Sequence, residues 1–288
     1  MNGKGFEMKR VTVLYHRDAD GFGAAYAAWK KFGDEAEYIS VQYGEPVPGI
    51  SPETRRLFIV DFSYPAETIR LLQELYPSVV VLDHHKTALP LKELPGCYID
   101  MDKAGCQLTW EFLHDKAPLP TILYYVADRD LWKFEAPQSE NVNLYIAAMP
   151  WEFALWDAFE LDRAVAGGNA IKAFRDAQVE GALRNVRMIT LAGYEVPCVN
   201  AGENISELGN KLCLAYPEAS FSVSYCDRKD CRSWSLRSVG EFDVSAVAKL
   251  FGGGGHRNAA GFSTELFWPE VHGKAFTEAF EKLAAGVS

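Results

Sequence analysis

Seven side chains that follow apolar, strand-like runs in the first 85 residues are of the kinds that hold metal ions. In the stretch Tyr15–Ala25, YHRDADGFGAA, a histidine and two aspartates fall at alternate positions, His16, Asp18 and Asp20. Asp61 follows LFIV, and Asp83, His84 and His85 follow VVVL. A further candidate, Asp128 in VADRDLW, follows an apolar segment. Carboxylate and imidazole donors without thiolate suit a divalent ion of the Mn²⁺ or Mg²⁺ type better than structural zinc. Acids crowded together repel and resist ionisation unless a cation neutralises them. There are more carboxylates than one ion needs. Two ions about 3.5–4 Å apart, sharing a bridging carboxylate, form the arrangement that clamps attacking and leaving oxygens in phosphoryl transfer.

Such convergence needs a scaffold that brings distant positions to one edge. Val11–Tyr15, Tyr38–Gln42, Leu57–Val60 and Val79–Leu82 read as strands, with helices at Gly23–Phe32 and Pro65–Leu75. Short strands that are apolar throughout, alternating with helices, predict a parallel sheet covered on both faces. In an open parallel sheet ligands gather at the carboxyl ends of the strands, which is where these residues lie. After Ala104 the pattern turns helical through AGCQLTWEFL and TILYYVA, and Trp151–Ile189 reads as helical, ending in a long connecting helix. Beyond Leu191 short alternating segments predict a smaller mixed sheet: YEVPCVN, SFSVSYC and SWSLRS. A helix DVSAVAKLF, a glycine run, AAGFST and a last helix over Pro269–Ala285 complete it. The expected fold is α/β, with domains over 9–187 and 188–288 joined by the helical linker.

The 288 residues suffice for two domains, and 48% hydrophobic content predicts packed cores. No apolar run is long enough to cross a bilayer and the first ten residues lack a signal-peptide core, so a cytoplasmic protein is expected. The six cysteines form no CxxC pair and read as reduced thiols; Cys226 and Cys231 bracket a turn across which they could face each other. The net charge is −10, and residues 191–288 carry 9 Lys and Arg against 12 Asp and Glu. Neither half is a basic platform for long nucleic acid. A small anionic substrate is compatible, because bound metal supplies local positive charge.

The HxDxDG turn, VDFS, the triplet Asp83–His85 and ADRDLW together resemble the DHH phosphoesterase superfamily. Downstream, GGGGHRNAAGF at Gly252–Phe262 and SLRS at Ser235–Ser238 resemble the DHH-associated C-terminal domain. The resemblance implies that Asp61 bridges two Mn²⁺ ions. His16 and Asp18 would join it on one ion, and Asp20, His84 and Asp128 on the other. His85 would sit near the substrate phosphate, oriented by Asp83. Arg237 and His256, with the backbone of Gly253, Gly254 and Gly255, would hold the far phosphate or nucleotide end. The compact spacing of the first motif, without the proline found in many members, resembles oligoribonucleotide-degrading ones. A Mn²⁺-dependent phosphodiesterase acting as an exonuclease on short RNA or linear dinucleotides is therefore expected, with 3′-phosphoadenosine 5′-phosphate as a second substrate. No membrane partner is expected, and the family admits a homodimer.

Blander readings compete at single residues. An aspartate after a strand is usually a helix N-cap, adjacent histidines are commonly exposed, and Asp130 reads as a surface or structural acid. GGGG alone would be a flexible loop. Tyr43, Trp132 and Phe262 are expected in cores. Two rival functions remain: a manganese-dependent inorganic pyrophosphatase, disfavoured by the few clustered lysines, and a nucleotide-binding regulator without catalysis, disfavoured by the full ligand set.

Overall fold

The structure, a computed structural model, describes residues 10–266. It divides between Lys172 and Ala173 into two compact units. The first holds strands β1 (Val11–His16), β2 (Ala36–Val41), β3 (Arg56–Val60), β4 (Val79–Asp83) and β5 (Cys97–Ile99). Helix α1 (Ala19–Phe32) follows β1 and α2 (Ala66–Leu75) follows β3. Beyond β5 come α3 (Gly105–His114), α4 (Thr121–Asp130), α5 (Ser139–Ala148) and α6 (Phe153–Asp157). The long helix α7 (Leu161–Leu183) gives Ala164 to the core of the first unit and Val179 to a core of the second. Packing therefore divides the chain inside α7, whereas the sequence pattern put the boundary at 187/188.

All five strands of the first unit run parallel, in the order β2-β1-β3-β4-β5. Their side chains alternate between two apolar cores. Val13, Phe58, Val60 and Leu82 pack on one face, and Leu14, Leu57, Ile59 and Val81 on the other. Burying such a side chain contributes about 1.5–3 kcal/mol, so a one-residue slip would forfeit a whole face. Small residues let α1 approach α3 closely. A Cβ at Gly23 would come within 3.0 Å of Cys106 Cβ and 3.1 Å of Leu123 Cδ2.

The second unit contains β6 (Arg187–Leu191), β7 (Tyr194–Asn200), α8 (Ile205–Ala215), β8 (Ser222–Asp227), β9 (Cys231–Arg237), α9 (Val244–Leu250), β10 (Gly254–His256) and β11 (Ala259–Glu265). Its sheet runs β10-β11-β9-β8-β7-β6, with only the β7–β8 pair parallel. The mixed α/β architecture of both units is the one the sequence pattern predicts.

Three local expectations need correction. Arg187–Ile189 is strand rather than helix, because it pairs antiparallel with β7. The three-residue β5 was too short to show a period. Cys226 lies opposite Ser233, and Cys231 opposite Glu265, so the two cysteines do not face each other. All six cysteines are free thiols. The helix expected over Pro269–Ala285 lies outside the described residues. Among the described residues no helix is long and apolar enough to cross a membrane.

Candidate metal centre

The strand order reverses direction at β1, whose neighbours are β2 and β3. Crevices at such a switch point, beyond the carboxyl ends of the strands, are where open α/β sheets bind ligands. His16 ends β1, Asp61 follows β3, and Asp83 ends β4 just before His84 and His85. The topology thus delivers three separate sequence segments to one edge.

Each carboxylate is held by the local backbone. Asp18 is the N-cap of α1 and one carboxylate oxygen accepts the Gly21 N–H at 2.9 Å. Its other oxygen lies 2.7 Å from His16 Nδ1, so cap and site coexist in one side chain. Asp20 receives the Gly105 N–H at 2.6 Å and the Cys106 N–H at 3.0 Å, the first amides of α3. These amides are orphan donors of a helix N-terminus and favour an anionic partner. Asp61 has φ of 61°, a left-handed conformation rare outside glycine and concentrated at functional sites. Its N–H is fixed to Leu82 O at 2.8 Å. Gly105 leaves it room: a Cβ there would sit 2.5 Å from Asp61 Cβ.

The buried carboxylate of Asp61 is divided between two half-sites. One oxygen is 3.5 Å from His16 Nδ1, and the other is 3.1 Å from His84 Nε2. Two potential donor groups result, His16–Asp18–Asp61 and Asp20–His84–Asp130. A third, Asp61–His84–His85, overlaps them. Asp83 turns its carboxylate the other way. Its Oδ1 accepts the N–H groups of His84 at 2.7 Å and His85 at 3.1 Å, and meets His85 Nδ1 at 2.8 Å. It is in place to orient the two histidines.

The structure does not bring Asp128 to this centre. Its carboxylate is buried beneath the α4–α5 connection, accepting the Glu135 N–H at 2.8 Å and the Ser139 hydroxyl. Asp130 occupies the expected place, with Oδ2 3.5 Å from His84 Nε2. Residues two apart on a helix point to different faces, so only one of the pair can reach the cluster. The sequence did not separate the two: Asp130 continues the buried stripe of Leu123, Val126 and Ala127, and Asp128 that of Ile122 and Tyr125. Other features of the centre carried no sequence signal. Gln42 Oε1 lies 2.6 Å from His16 Nε2. The exposed Tyr43 ring, expected in a core, lies 5.0 Å from that of His16 and 5.6 Å from that of His85. Trp132 is also exposed rather than in a core.

The electrostatics of the cluster ask for a cation. Burial pushes Asp61 up to about 8 against the lowering contact with His16, and the charges of Asp18 and Asp130 add to the rise. Asp130 is raised to about 7, chiefly by burial and the charge of Asp20, and Asp20 is itself raised by burial and by Asp61. Burial would lower His16, but the Asp18 and Asp61 carboxylates beside its Nδ1 outweigh it and push the imidazole up to about 10. Asp18 moves the other way: the His16 and Gly21 contacts overcome burial and hold it low. Both oxygens of Asp61, His16 Nδ1 and His84 Nε2 are buried without a hydrogen-bond partner. Such orphans are costly inside a protein. Oxygen and imidazole atoms left open and facing one another are a donor set that fits divalent ions.

In the second unit a cavity of about 610 Å³ is lined by Arg237, Gly252–Gly255, Trp234 and Phe262, among others. The glycine run is not a loose loop. Gly254 and Gly255 belong to β10, paired with β11, and a Cβ on Gly253 would strike Gly261 O at 2.1 Å. Arg237 donates to Leu236 O at 2.9 Å and to Ser206 Oγ at 3.3 Å. The structure thus brings Arg237 together with Gly253, Gly254 and Gly255. His256, exposed at the end of β10, is not among the lining residues. Phe262 is buried, as expected, and stacks on Phe251 at 4.5 Å.

Comparison with known proteins agrees with this architecture. The model of the DHH family, N-terminal domain, matches residues 10–129. An uncharacterised protein of Acanthamoeba polyphaga mimivirus is 30% identical over 281 residues, covering 88% of this chain and 67% of the relative. Oligoribonuclease NrnB of Bacillus subtilis is 26% identical over 302 residues, covering 89% and 74%. Among solved structures, exonuclease RecJ bound to manganese aligns with a TM-score of 0.55 at 15% identity, over 96% of this chain and 89% of that one. A pGpG-specific phosphodiesterase of Vibrio cholerae aligns with a TM-score of 0.54 at 14% identity, over 96% and 99%. These structural likenesses speak for the fold. The matched region spans the strands that deliver His16, Asp61 and the triplet Asp83–His85 to one edge, and the sequence likeness runs through most of the chain, so this protein belongs to the DHH family.

Proposed function

We propose that the protein is a divalent-metal phosphodiesterase that hydrolyses short oligoribonucleotides or linear dinucleotides to mononucleotides, with 3′-phosphoadenosine 5′-phosphate as an additional substrate. The observation that carries the reading is the Asp61 carboxylate, which turns one oxygen toward His16 and the other toward His84. His16, Asp18 and Asp61 would hold one ion, and Asp61, Asp20, His84 and Asp130 the second. Mn²⁺ suits this mixed donor set, and Mg²⁺ is the natural substitute. When bound, the ions supply charge for the phosphate and bring the pKa of a coordinated water toward neutrality.

The chain's own groups then have defined tasks. Asp20 is kept in place by the α3 amides and Asp61 by its backbone bond to Leu82. Asp83 anchors His85 through Nδ1, which leaves Nε2 as the free end of the ring. Burial alone would lower His85, but the Asp83 contact outweighs it and holds the imidazole above its ordinary range, which favours a second proton at Nε2. That proton can be donated to a phosphate oxygen or a leaving ribose oxygen. Arg237 would take a terminal phosphate in the pocket of the second unit, where the Gly252 and Gly253 N–H groups already donate to Lys249 O and Ala248 O. The names of the Bacillus subtilis and Vibrio cholerae relatives, an oligoribonuclease and a pGpG-specific phosphodiesterase, support short substrates.

A product time course tests the reading. The substrates are pGpG, labelled RNA from dinucleotide to long oligomer, the bisphosphate and pyrophosphate, each with Mn²⁺ and after exhaustive chelation. Mononucleotide release from short RNA, abolished by EDTA and restored by Mn²⁺, is expected. Turnover of pyrophosphate alone would favour the pyrophosphatase. Binding without turnover of any substrate would favour a regulator.

A further inference from the structure

The turn after β2 is tied to the end of β1 by a closed set of hydrogen bonds. β1 and β2 pair parallel with His16 opposite Val41, so Gln42 emerges beside the first motif. Its Oε1 lies 2.6 Å from His16 Nε2 and also accepts the Tyr43 N–H at 3.2 Å. Glu45 Oε2 receives the Gln42 N–H at 2.9 Å and the Arg17 guanidinium at 3.1 Å. The Arg17 N–H returns to Val41 O at 3.1 Å. Arg17, Glu45 and Gln42 therefore brace one another around the outer edge of His16.

This arrangement decides which nitrogen of His16 carries a proton. The Tyr43 N–H can only donate, so the amide atom it meets is the oxygen of Gln42 and not the nitrogen. An amide oxygen can only accept. Nε2 must then be the protonated nitrogen, and in the neutral ring Nδ1 bears the lone pair. Nδ1 is the buried nitrogen without a hydrogen-bond partner, 2.7 Å from an Asp18 oxygen and 3.5 Å from an Asp61 oxygen.

We propose that Gln42 is a positioning residue that fixes His16 in the Nε2–H tautomer and so presents Nδ1 to the divalent ion. The inference rests on the metal-centre reading above and adds to it the partner that orients the ligand. It also gives a physical account of the compact first motif. Nδ1 is the ring nitrogen nearer the main chain, and Asp18 caps α1 only two residues later. Ligation through Nδ1 lets a histidine at the very end of β1 share an ion with an aspartate that close in sequence.

The test compares wild type with Gln42→Met, which keeps length and loses the acceptor, and Gln42→Glu, which keeps an acceptor. Mn²⁺ affinity of the metal-free proteins is titrated by the EPR signal of the free ion, and melting temperature is followed in parallel. Losing an outer partner of a ligating histidine costs about 10–100-fold in metal affinity. Gln42→Met is expected to show that loss at one of two sites, with the metal-free melting temperature held and affinity recovered in Gln42→Glu. Long-range proton–nitrogen NMR of the Mg²⁺-loaded wild type should show His16 protonated at Nε2 and bare at Nδ1. A proton on Nδ1 would overturn the proposal, and this readout stands even if Gln42→Met fails to fold. Wild-type affinity in Gln42→Met, or equal losses in both variants that track melting temperature, would overturn it too. If the wild type itself takes up no Mn²⁺, the metal-centre reading fails and this inference falls with it.

Discussion

Asp128 and Asp130 lie two residues apart and are assigned opposite duties, so exchanging each for alanine separates structure from chemistry. Asp128 is 6% exposed and accepts two hydrogen bonds, from the Glu135 N–H and the Ser139 hydroxyl. Hydrogen bonds to a charged group contribute about 1.5–3 kcal/mol each, so Asp128→Ala should lose roughly 3–6 kcal/mol of stability. That is a large share of what a domain has, about 5–15 kcal/mol. Asp130 makes no such bonds; its carboxylate faces His84 at 3.5 Å and is raised to about 7 by burial and by Asp20. Asp130→Ala should leave the metal-free protein as stable or more stable, because one member of a repelling group is removed. Losing one stabilising contact at a reacting centre costs about 10²–10³ in kcat, and that is the fall expected for Asp130→Ala on a dinucleotide. The assays are urea unfolding of metal-free protein, metal stoichiometry by elemental analysis, and initial rates at saturating Mn²⁺. If Asp128→Ala loses one ion at unchanged stability while Asp130→Ala keeps both ions and full activity, the assignment is refuted.

Removing metal should expose the raised acids as a pH dependence of stability. Asp61 and Asp130 titrate near 8 and 7 in the folded protein but near 4 when unfolded. Between those values the folded state binds more protons, so the melting temperature of metal-free protein should fall as pH rises from about 4 to 8. His16, raised to about 10, extends the fall beyond 6.5 with the same sign. Asp18 and Asp83, held low, lose their contribution only as pH drops below the ordinary carboxylate range. Saturating Mn²⁺ should flatten the curve, and a metal-free melting temperature that climbs through this window would contradict the cluster electrostatics. Gly105→Ala places a methyl 2.5 Å from Asp61 Cβ without demanding a forbidden helix conformation; calorimetric Mn²⁺ titration should show weakened binding at both sites in a folded protein, and unaltered binding would show that Asp61 does not bridge. Arg237→Ala should lower kcat/KM for di- to pentanucleotides at least tenfold with metal content unchanged, while long RNA stays a poor substrate; equal rates on long and short strands would count against a phosphate contact in the second unit.

Much of the site was legible because its signals are local. Apolar runs of four or five residues ending in His16, Asp61 and Asp83 identify buried parallel strands, and parallel strands put their carboxyl ends on one edge whatever the loops do. The triplet Asp83–His85 is one turn of chain, and the roles expected of its members came from the family resemblance. Arg237 and the glycine run meet through β11, which pairs with β9 on one side and with β10 on the other. The glycine run was less readable as structure. That it forms a strand depends on hairpin pairing with Ala259–Gly261, to which no periodicity in GGGG corresponds.

The sequence by itself determined the donor types, the strands that carry them and the family to which they belong, because each depends on side-chain chemistry or on periods of two and 3.6 residues. Tertiary structure alone decided which of Asp128 and Asp130 faces the centre, since both lie on α4 and its rotation is set by packing against α1, α3 and α5. It alone gave Asp61 its left-handed backbone, held by Leu82 and given room by Gly105 from two distant segments. It also set Gln42 against His16, twenty-six residues away, through the register of β1 with β2. Each of these is a contact between segments far apart in the chain, and such contacts exist only once the sheet has formed.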